Sequence, residues 1–159
     1  MTMRRTNQRG FSLIELLIVV AIILIIAAIA IPNLVKSKMS ANESSAVGSL
    51  HAINTAAVSY NSDYGVGYPP ALSDLGPSTL PSSTAADLID GVLVTGTKSG
   101  YVFTYTAGPL VAPGQITTYS VTASPITEGV TGQRGFFTDQ TFVIRVNISG
   151  TASSTDQPL

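Results

Sequence analysis

The most constraining feature of the sequence is an apolar segment, Phe11 to Ile31, that directly follows a short basic stretch ending at Gly10. Ser12 and Glu15 are its only polar residues. Its length is about the 20 residues that an α-helix needs to cross the hydrocarbon core of a bilayer. An ordinary secretory signal is cut after its apolar region, which is then discarded. A cut after Gly10 would instead keep the apolar helix as the start of the mature chain.

Glu15 is a carboxylate in otherwise apolar surroundings. A charge near the centre of a membrane helix costs about 2.5–3.5 kcal/mol on insertion scales, and less near the interface, so such a residue usually has a partner. Cleavage after Gly10 would create a cationic amino group on Phe11, about 6 Å from Glu15 along the helix axis. We therefore expect Glu15 to pair with an N-terminal amine, either that of its own chain or that of a neighbour.

The segment from Gly10 to Ile22, GFSLIELLIVVAI, resembles the processing and methylation motif of type IV pilins and type II secretion pseudopilins. The resemblance covers roughly residues 1–60 and fades beyond them. It implies that a prepilin peptidase cuts after Gly10 and N-methylates Phe11. It also implies that Glu15 pairs with the amine of an adjacent subunit during assembly.

Pro32 falls where the pilin family has its helix-breaking proline. Proline lacks a backbone donor and clashes with the preceding turn, so we expect it to kink or locally open the helix. The resemblance further implies that residues 27–33 lose helical order in assembled filaments. A plain signal anchor with an incidental interfacial glutamate is the alternative for residues 11–31. The combination of a basic leader, a small Gly10 and Glu15 argues against that alternative.

Basic residues also predict the orientation of the chain. Arg4, Arg5 and Arg9 precede the apolar segment, and basic residues stay on the cytoplasmic side of a membrane. We therefore predict that residues 1–10 are a leader that faces the cytoplasm and is removed, and that everything after Ile31 is exported. Before assembly, the precursor is expected to be held in the inner membrane by this single helix.

After Pro32 the apolar residues recur at three- and four-residue spacings, which indicates one buried face of a helix. They are Ala46, Leu50, Ile53, Ala57, Tyr60 and Tyr64. We predict one helix over residues 11–61, with a membrane or filament core at 11–31 and an amphipathic part at 32–61. At about 1.5 Å per residue, such a helix is about 75 Å long.

Residues 62–159 are rich in glycine, proline, serine and threonine and are predicted to form a β-rich globular head. The turn-dense stretch 63–81 is expected to be a loop that wraps this head. A short helix is predicted at Ala85–Asp90, with Ser83 as its cap and Gly91 as its end.

Strands of the head are predicted at 101–105, 118–122 and 142–146, where β-branched and aromatic residues alternate, with a short partner at 136–138. The predicted core consists of Tyr101, Phe103, Tyr105, Phe142, Ile144 and Val146, packed on Leu50, Ile53, Ala57 and Tyr60 of the helix. The predicted fold class is therefore α+β, with a long N-terminal hydrophobic helix packed by its C-terminal half on a small antiparallel β-sheet head.

The sequence offers little material for catalysis. There is no cysteine and a single histidine, His51, which is predicted to be a partly exposed helix residue. No nucleophile motif or phosphate loop accompanies it, so we predict that the protein is not an enzyme. Without cysteine, packing must hold the C-terminal end, although an exported protein could carry a disulfide.

The acidic and basic residues of the sequence bear on two ligands, calcium and nucleic acid. Calcium takes about six to eight oxygen ligands, and the late acids Glu128, Asp139 and Asp156 are spread along the sequence. No cofactor is therefore predicted, and calcium is possible but unsupported. Once the leader is removed, five basic side chains face the nine acids of the chain, so no specific nucleic acid partner is predicted either.

The sequence thus predicts a structural subunit of a type IV pilus that polymerises through its N-terminal helix into a helical homopolymer. The alternative is the major pseudopilin of a type II secretion system, which forms a short periplasmic pseudopilus for protein export. A minor or initiating pilin is a third reading. The predicted partners are other copies of the chain, a prepilin peptidase and an inner-membrane assembly platform. The mature subunit is expected in an extracellular filament at the cell surface.

Overall fold

A computed structural model describes residues 10–159 of the chain. The predicted leader, including Arg4, Arg5 and Arg9, lies outside the described residues apart from Gly10. The chain divides into two compact units, Met1–Lys36 and Ser37–Leu159. A single helix, α1, begins at Leu13 and ends at Tyr64.

The buried face of α1 in the second unit contains the residues that the helical spacing predicts. Leu50, Ile53 and Ala57 are fully buried, and Ala46 and Tyr60 are nearly so. Tyr64, at the last turn, is half-buried and packs against Tyr60, with 4.9 Å between the two ring centroids. The amphipathic pattern therefore predicts correctly which side of the helix faces the core.

Two antiparallel sheets form the rest of the second unit. Its elements are the 3-10 turn Leu72–Leu75, α2 (Gly91–Val94), β1 (Thr97–Lys98), β2 (Tyr101–Ala107), β3 (Leu110–Val111), β4 (Gln115–Ile116), β5 (Tyr119–Pro125), β6 (Gly135–Asp139), β7 (Arg145–Asn147) and β8 (Gln157–Pro158). The large sheet has the order β1-β2-β5-β6-β7-β8, and β3 pairs only with β4. The predicted α+β class is confirmed.

One face of the large sheet packs on α1. Alternate residues of the central strands point inward, and Tyr101, Val121 and Phe136 are completely buried there in one cluster with Leu50 and Ile53. β6 lies between β5 and β7, so the short partner strand predicted at 136–138 is a central strand of the sheet.

The predicted core is correct for Tyr101, Phe103 and Ile144, which are buried, while Tyr105 and Val146 are partly buried. It is wrong for Phe142, whose side chain is 42% exposed.

The strand predicted at 142–146 begins only at Arg145, because a turn after β6 interrupts the chain there. The same turn exposes Phe142. β6 ends at Asp139, whose carboxylate Oδ1 accepts hydrogen bonds from the backbone N–H and the hydroxyl of Thr141 at 2.9 and 2.5 Å. The Phe142 N–H then donates to the Asp139 carbonyl at 2.9 Å, and the φ angle of Phe142 is +63°. A left-handed residue cannot continue a strand, so β7 begins only at Arg145.

The helix predicted at Ala85–Asp90 is also wrong. Backbone N–H groups of this stretch do not form helical hydrogen bonds but donate to carbonyls of the 3-10 turn. The Ala86 N–H donates to the Asp74 carbonyl at 2.8 Å, and the Leu88 N–H donates to the Leu75 carbonyl at 2.9 Å. A helix, α2, forms directly after this stretch at Gly91–Val94, because the Asp90 carboxylate accepts the Leu93 N–H at 2.8 Å as an N-cap. Gly91 therefore begins a helix rather than ending one.

A buried polar network ties α1 to the middle of the sheet. Asn54 is 5% exposed; its side-chain amide donates to the Thr138 hydroxyl at 2.9 Å, and its side-chain oxygen accepts the Tyr119 hydroxyl at 2.8 Å. Burial raises the pKa of Tyr119, so its hydroxyl remains a donor. Satisfied buried networks of this kind fix one arrangement of the packed elements.

A buried carboxylate ties the start of the second unit to the loop between β5 and β6. Glu43 accepts the backbone N–H groups of Gln133 and Arg134 at 2.9 and 3.1 Å. Its other oxygen accepts the Arg134 guanidinium Nε at 2.8 Å. Burial alone would raise the pKa of Glu43, but these hydrogen bonds and the Arg134 charge outweigh it and hold the pKa below its ordinary 4.5.

The C-terminal end is closed by hydrogen bonds. The Asp156 carboxylate accepts the N–H and the hydroxyl of Ser153 at 2.7 and 3.0 Å, and these bonds lower its pKa. The Arg145 side chain donates to the Asp156 carbonyl at 2.9 Å, and the Leu159 N–H donates to the Ile144 carbonyl at 2.9 Å. Backbone pairing and local polar contacts thus hold the terminus where no disulfide is available.

We predict that Asn54→Ala lowers the free energy of unfolding by about 2–4 kcal/mol, because it leaves two buried hydroxyls without a partner. Chemical denaturation of the full chain in detergent, followed by tyrosine circular dichroism, measures this change. Asn61→Ala, at an exposed position of the same helix, is the matched control and is expected to stay within about 0.5 kcal/mol. Equal losses in the two variants would contradict the network.

A second prediction concerns pH. Because the pKa of Glu43 is lowered in the folded chain, its contribution to stability is present above pH 4.5 and is lost as pH falls through the lowered value. Glu43→Gln is expected to cost about 1–3 kcal/mol at neutral pH and to flatten the loss of stability below pH 4.5. Unfolding free energies measured across this range provide the test.

Glu128→Gln is the control for this second prediction, since Glu128 is exposed and accepts one bond from the Gln133 side chain at 3.3 Å. This variant should leave the free energy of unfolding nearly unchanged, both at neutral pH and below pH 4.5. If the free energy of unfolding falls equally below pH 4.5 in the native chain and in Glu43→Gln, Glu43 is not the source of the acid sensitivity.

Candidate assembly segment

The assembly segment, residues 10–36, contains the apolar beginning of α1, whose large side chains are exposed in the single chain. Leu13, Ile14 and Leu34 are 80%, 63% and 70% exposed, and the most apolar window of the helix contains no buried residue. By length and composition this helix could cross a membrane. The segment therefore needs an apolar environment that these residues do not provide for one another.

Glu15 lies at the start of this helix and is used by its own chain. Its Oε2 accepts the Ser12 backbone N–H at 2.8 Å, and the Ser12 carbonyl accepts the Leu16 N–H at 3.2 Å. Ser12 is thus the N-cap, and Glu15 occupies the third helical position, as in one half of a capping box. The carboxylate also lies where the positive end of the helix dipole favours a negative charge.

This capping contact was missed by the sequence analysis, which treats Glu15 only as the partner of an amine. The signal was present, because serine followed three residues later by glutamate before an apolar run is the sequence pattern of a capping box. The two ion pairs found among residues 10–159 are Lys98 with Asp90 and Arg134 with Glu43. Neither involves Glu15.

Gly10 and Phe11 precede the helix and are exposed, Phe11 by 83%. A Cβ atom built on Gly10 would meet no other atom within 4 Å. The fold of this chain therefore gives no steric reason for glycine at position 10. Any requirement for a small residue there must come from the surface that binds this stretch during processing.

Pro32 lies inside α1, and the helix continues through it to Tyr64. The expected local opening is therefore absent from the single chain. Proline removes the donor that the Ala28 carbonyl would otherwise receive, but the turns before and after it stay helical. Loss of helical order over residues 27–33 in a filament remains a prediction.

The other candidate groups are dispersed over the head. His51 is exposed and lines a cleft of about 190 Å³ with Thr55, Val58 and Phe142. Among the residues that the structure describes, no group of three or more histidine, cysteine, aspartate or glutamate side chains could hold a metal ion. Of the late acids, Asp139 and Asp156 accept hydrogen bonds within their own turns.

Comparison with known proteins finds a family match in the same N-terminal part of the chain. Residues 5–31 match the family described as the prokaryotic N-terminal methylation motif. The type IV major pilin protein PilA of Myxococcus xanthus is 54% identical over 57 residues, which cover 36% of this chain and 26% of that protein.

Two further relatives represent both branches of the resemblance. The type II secretion system core protein G of Klebsiella michiganensis is 38% identical over 61 residues, covering 38% of this chain and 43% of that protein. The type IV wide pilus major component PilA4 of Thermus thermophilus is 60% identical over 37 residues, covering 23% of this chain and 28% of that protein.

The matched segments span less than half the length of these relatives, 26%, 43% and 28% respectively. No solved structure gives a significant match to the chain. The family match lies within residues 5–31, in the motif and the apolar helix. The chain thus carries an N-terminal motif and helix similar to those of type IV pilins and type II secretion pseudopilins.

Proposed function

We propose that the protein is a structural subunit of a type IV pilus, which polymerises through the assembly segment into a filament at the cell surface. The observation that carries the proposal is the exposure of an apolar helix along residues 13–35, with Leu16, Ile25 and Ile29 each about 60% exposed. A bilayer or a bundle of equivalent helices can cover such a surface. The alanines within the segment allow helices to approach closely.

In this proposal the chain is first a single-pass precursor in the inner membrane, with residues 1–10 on the cytoplasmic side. A prepilin peptidase removes this leader after Gly10 and N-methylates Phe11. An inner-membrane assembly platform then moves the mature subunit from lipid into the filament. The activity is polymerisation, and the proposal includes no catalysis, no cofactor and no nucleic acid partner.

Glu15 is proposed to guide each added subunit to its place. Its carboxylate lies at the helix start, where the Ser12 N–H satisfies one oxygen. The N-terminal amine of Phe11 in a neighbouring subunit supplies the opposite charge. Such a pair at about 4 Å contributes about 4 kcal/mol at an effective dielectric near 20, before desolvation is subtracted. This attraction would favour one register over the alternatives along an otherwise uniform apolar helix.

The second candidate is a major pseudopilin of a type II secretion system, and the similarity to core protein G over 61 residues supports it. Deletion of the chain from its native cell separates the two functions. Loss of filaments seen by electron microscopy after labelling with antibodies to the head, with normal protein export, supports the pilus. Retention of an exported protein in the periplasm, without loss of surface filaments, supports the pseudopilus.

For processing, we predict that Gly10→Val leaves an uncleaved precursor in the membrane, because the peptidase requires a small residue at the cut. Intact-mass measurement distinguishes this precursor from a chain that begins at methylated Phe11. Gly48→Val is the matched control, since a Cβ atom at either position would meet nothing within 4 Å. Normal cleavage of the Gly10→Val chain would argue strongly against a prepilin peptidase.

For assembly, we predict that Glu15→Val gives a processed, folded subunit that accumulates in the membrane while filaments are lost. Glu15→Gln separates charge from capping, because glutamine can still accept the Ser12 N–H but carries no charge. If the charge pair drives docking, both variants lose most of their sheared filaments on immunoblots, roughly tenfold or more for the removal of about 1.4 kcal/mol.

Filament yield in the Glu15→Gln chain near that of the native chain would assign the effect to helix capping. Normal yield in the Glu15→Val chain alone would show that the proposed pairing is wrong. Co-expression with the native chain tests whether the variant subunit enters mixed filaments poorly, as the pairing requires.

A further inference from the structure

We propose that the head carries a carbohydrate-binding site on the outer face of its sheet, for a neutral or amino-substituted hexose unit. The site is a cleft of about 240 Å³ at the ends of β2, β5 and β6. Drug-sized ligands occupy about 300–1,000 Å³, so this cleft suits a single sugar ring. The inference concerns the head alone and does not depend on polymerisation.

The floor of the cleft is a row of polar side chains set by the strand register. Thr106 of β2 is opposite Ser120 of β5, and Ser120 is opposite Asp139 of β6. Residues that are directly opposite in antiparallel strands point to the same face, with about 4.5–5.5 Å between their Cβ atoms. Two hydroxyls and a carboxylate therefore stand side by side on one face of the sheet.

The row faces away from the core. Its neighbours along β5, Tyr119 and Val121, point to the opposite face and are buried, whereas Thr106 is exposed and Ser120 and Asp139 are half-buried. Phe137, two residues before Asp139, lies on the same outer face, is 9% exposed and lines the cleft beside the row. A sugar ring has a hydroxyl-rich edge and an apolar C–H face, and the cleft offers hydrogen-bonding groups next to an aromatic ring.

Asp139 is held in place before any ligand arrives. One oxygen, Oδ1, accepts the N–H and the hydroxyl of Thr141 at 2.9 and 2.5 Å. Its second oxygen, Oδ2, has no hydrogen-bond partner among the residues that the structure describes. A fixed carboxylate with one free oxygen accepts strongly from a sugar hydroxyl or ammonium group, because hydrogen bonds to charged acceptors are about twice as strong as neutral ones.

The ends of the cleft are also defined. Gln140 lines one side and can both donate and accept hydrogen bonds. On the other side, the Gly108 N–H donates to the Thr118 carbonyl at 2.8 Å. A Cβ atom on Gly108 would collide with the Thr118 hydroxyl oxygen, so glycine is needed for this close approach. No lining residue carries a positive charge, which disfavours acidic sugars.

Saturation-transfer NMR on the full mature chain tests the site. The chain is held in a detergent without a sugar headgroup, such as lauryldimethylamine oxide, and glucose, galactose, mannose, glucosamine and glucuronate are added separately. We expect saturation transfer to at least one neutral or amino sugar and none to glucuronate. No transfer to any of these sugars, or transfer to glucuronate above all, overturns the proposal.

Variants then locate the binding. Asp139→Asn keeps an oxygen for Thr141 and removes the charge, and it is expected to weaken binding at least about tenfold. Ser120→Ala removes only the central hydroxyl and is expected to weaken it several-fold. Asp63→Asn, an exposed aspartate outside the cleft, makes the same charge change and should bind as the native chain does. Circular dichroism checks that each variant is folded.

Binding that is unchanged in both Asp139→Asn and Ser120→Ala would place the sugar elsewhere and overturn the proposed site. Should Asp139→Asn fail to fold, Ser120→Ala and the conservative Thr106→Val decide the outcome, because both keep the strand backbone and remove one hydroxyl each. Unchanged binding in these two variants would again overturn the site.

Discussion

Apolar side chains along residues 13–35 cannot be covered by the single helix that carries them, and the rest of the molecule has to accommodate this. Each square ångström of apolar surface removed from water contributes about 25 cal/mol, so a helix of this length strongly favours lipid or other helices over water. The surface is available in the folded single chain. The head packs instead on the residues of α1 that belong to its own unit, among them Leu50 and Ile53.

Polar residues at three levels of the buried helix face hold the head to α1. Glu43 binds the loop before β6, Asn54 binds β5 and β6, and the Tyr60 hydroxyl donates to the Ser83 carbonyl at 2.7 Å. Apolar contacts alone would tolerate small shifts of the sheet along the helix. Three directional contacts at different heights allow one register, since a shift would leave a buried polar group without its partner.

The sequence predicts the parts of this structure that depend on periodicity. Helical spacing identified Leu50, Ile53 and Ala57 as buried, and alternation identified β2 and β5. Glu43 and Asn54 were not identified as structural residues, because their partners lie 65 to 91 positions away in the chain and no local pattern connects them.

The helix predicted at 85–90 and the strand predicted at 142–146 are wrong because of the local backbone conformation. At Asp87 and Phe142 the backbone is left-handed, with φ angles of +56° and +63°. Neither residue is a glycine, so the sequence carries no strong signal for a left-handed conformation at these two positions. In the assembly segment the motif indicates Gly10, Phe11 and Glu15 clearly, and the amphipathic pattern has no bearing on them because the segment is apolar on all sides.

The contact between Glu15 and the Ser12 N–H has a consequence for the energetics of a filament. One carboxylate oxygen, Oε2, is already bonded within its own chain, whereas neither ion pair found among residues 10–159 involves the charge of Glu15. Under the proposed pairing, an arriving amine would therefore add a charge interaction to a side chain whose position the Ser12 N–H has already fixed. The local hydrogen bond would thus reduce the loss of side-chain entropy that accompanies docking.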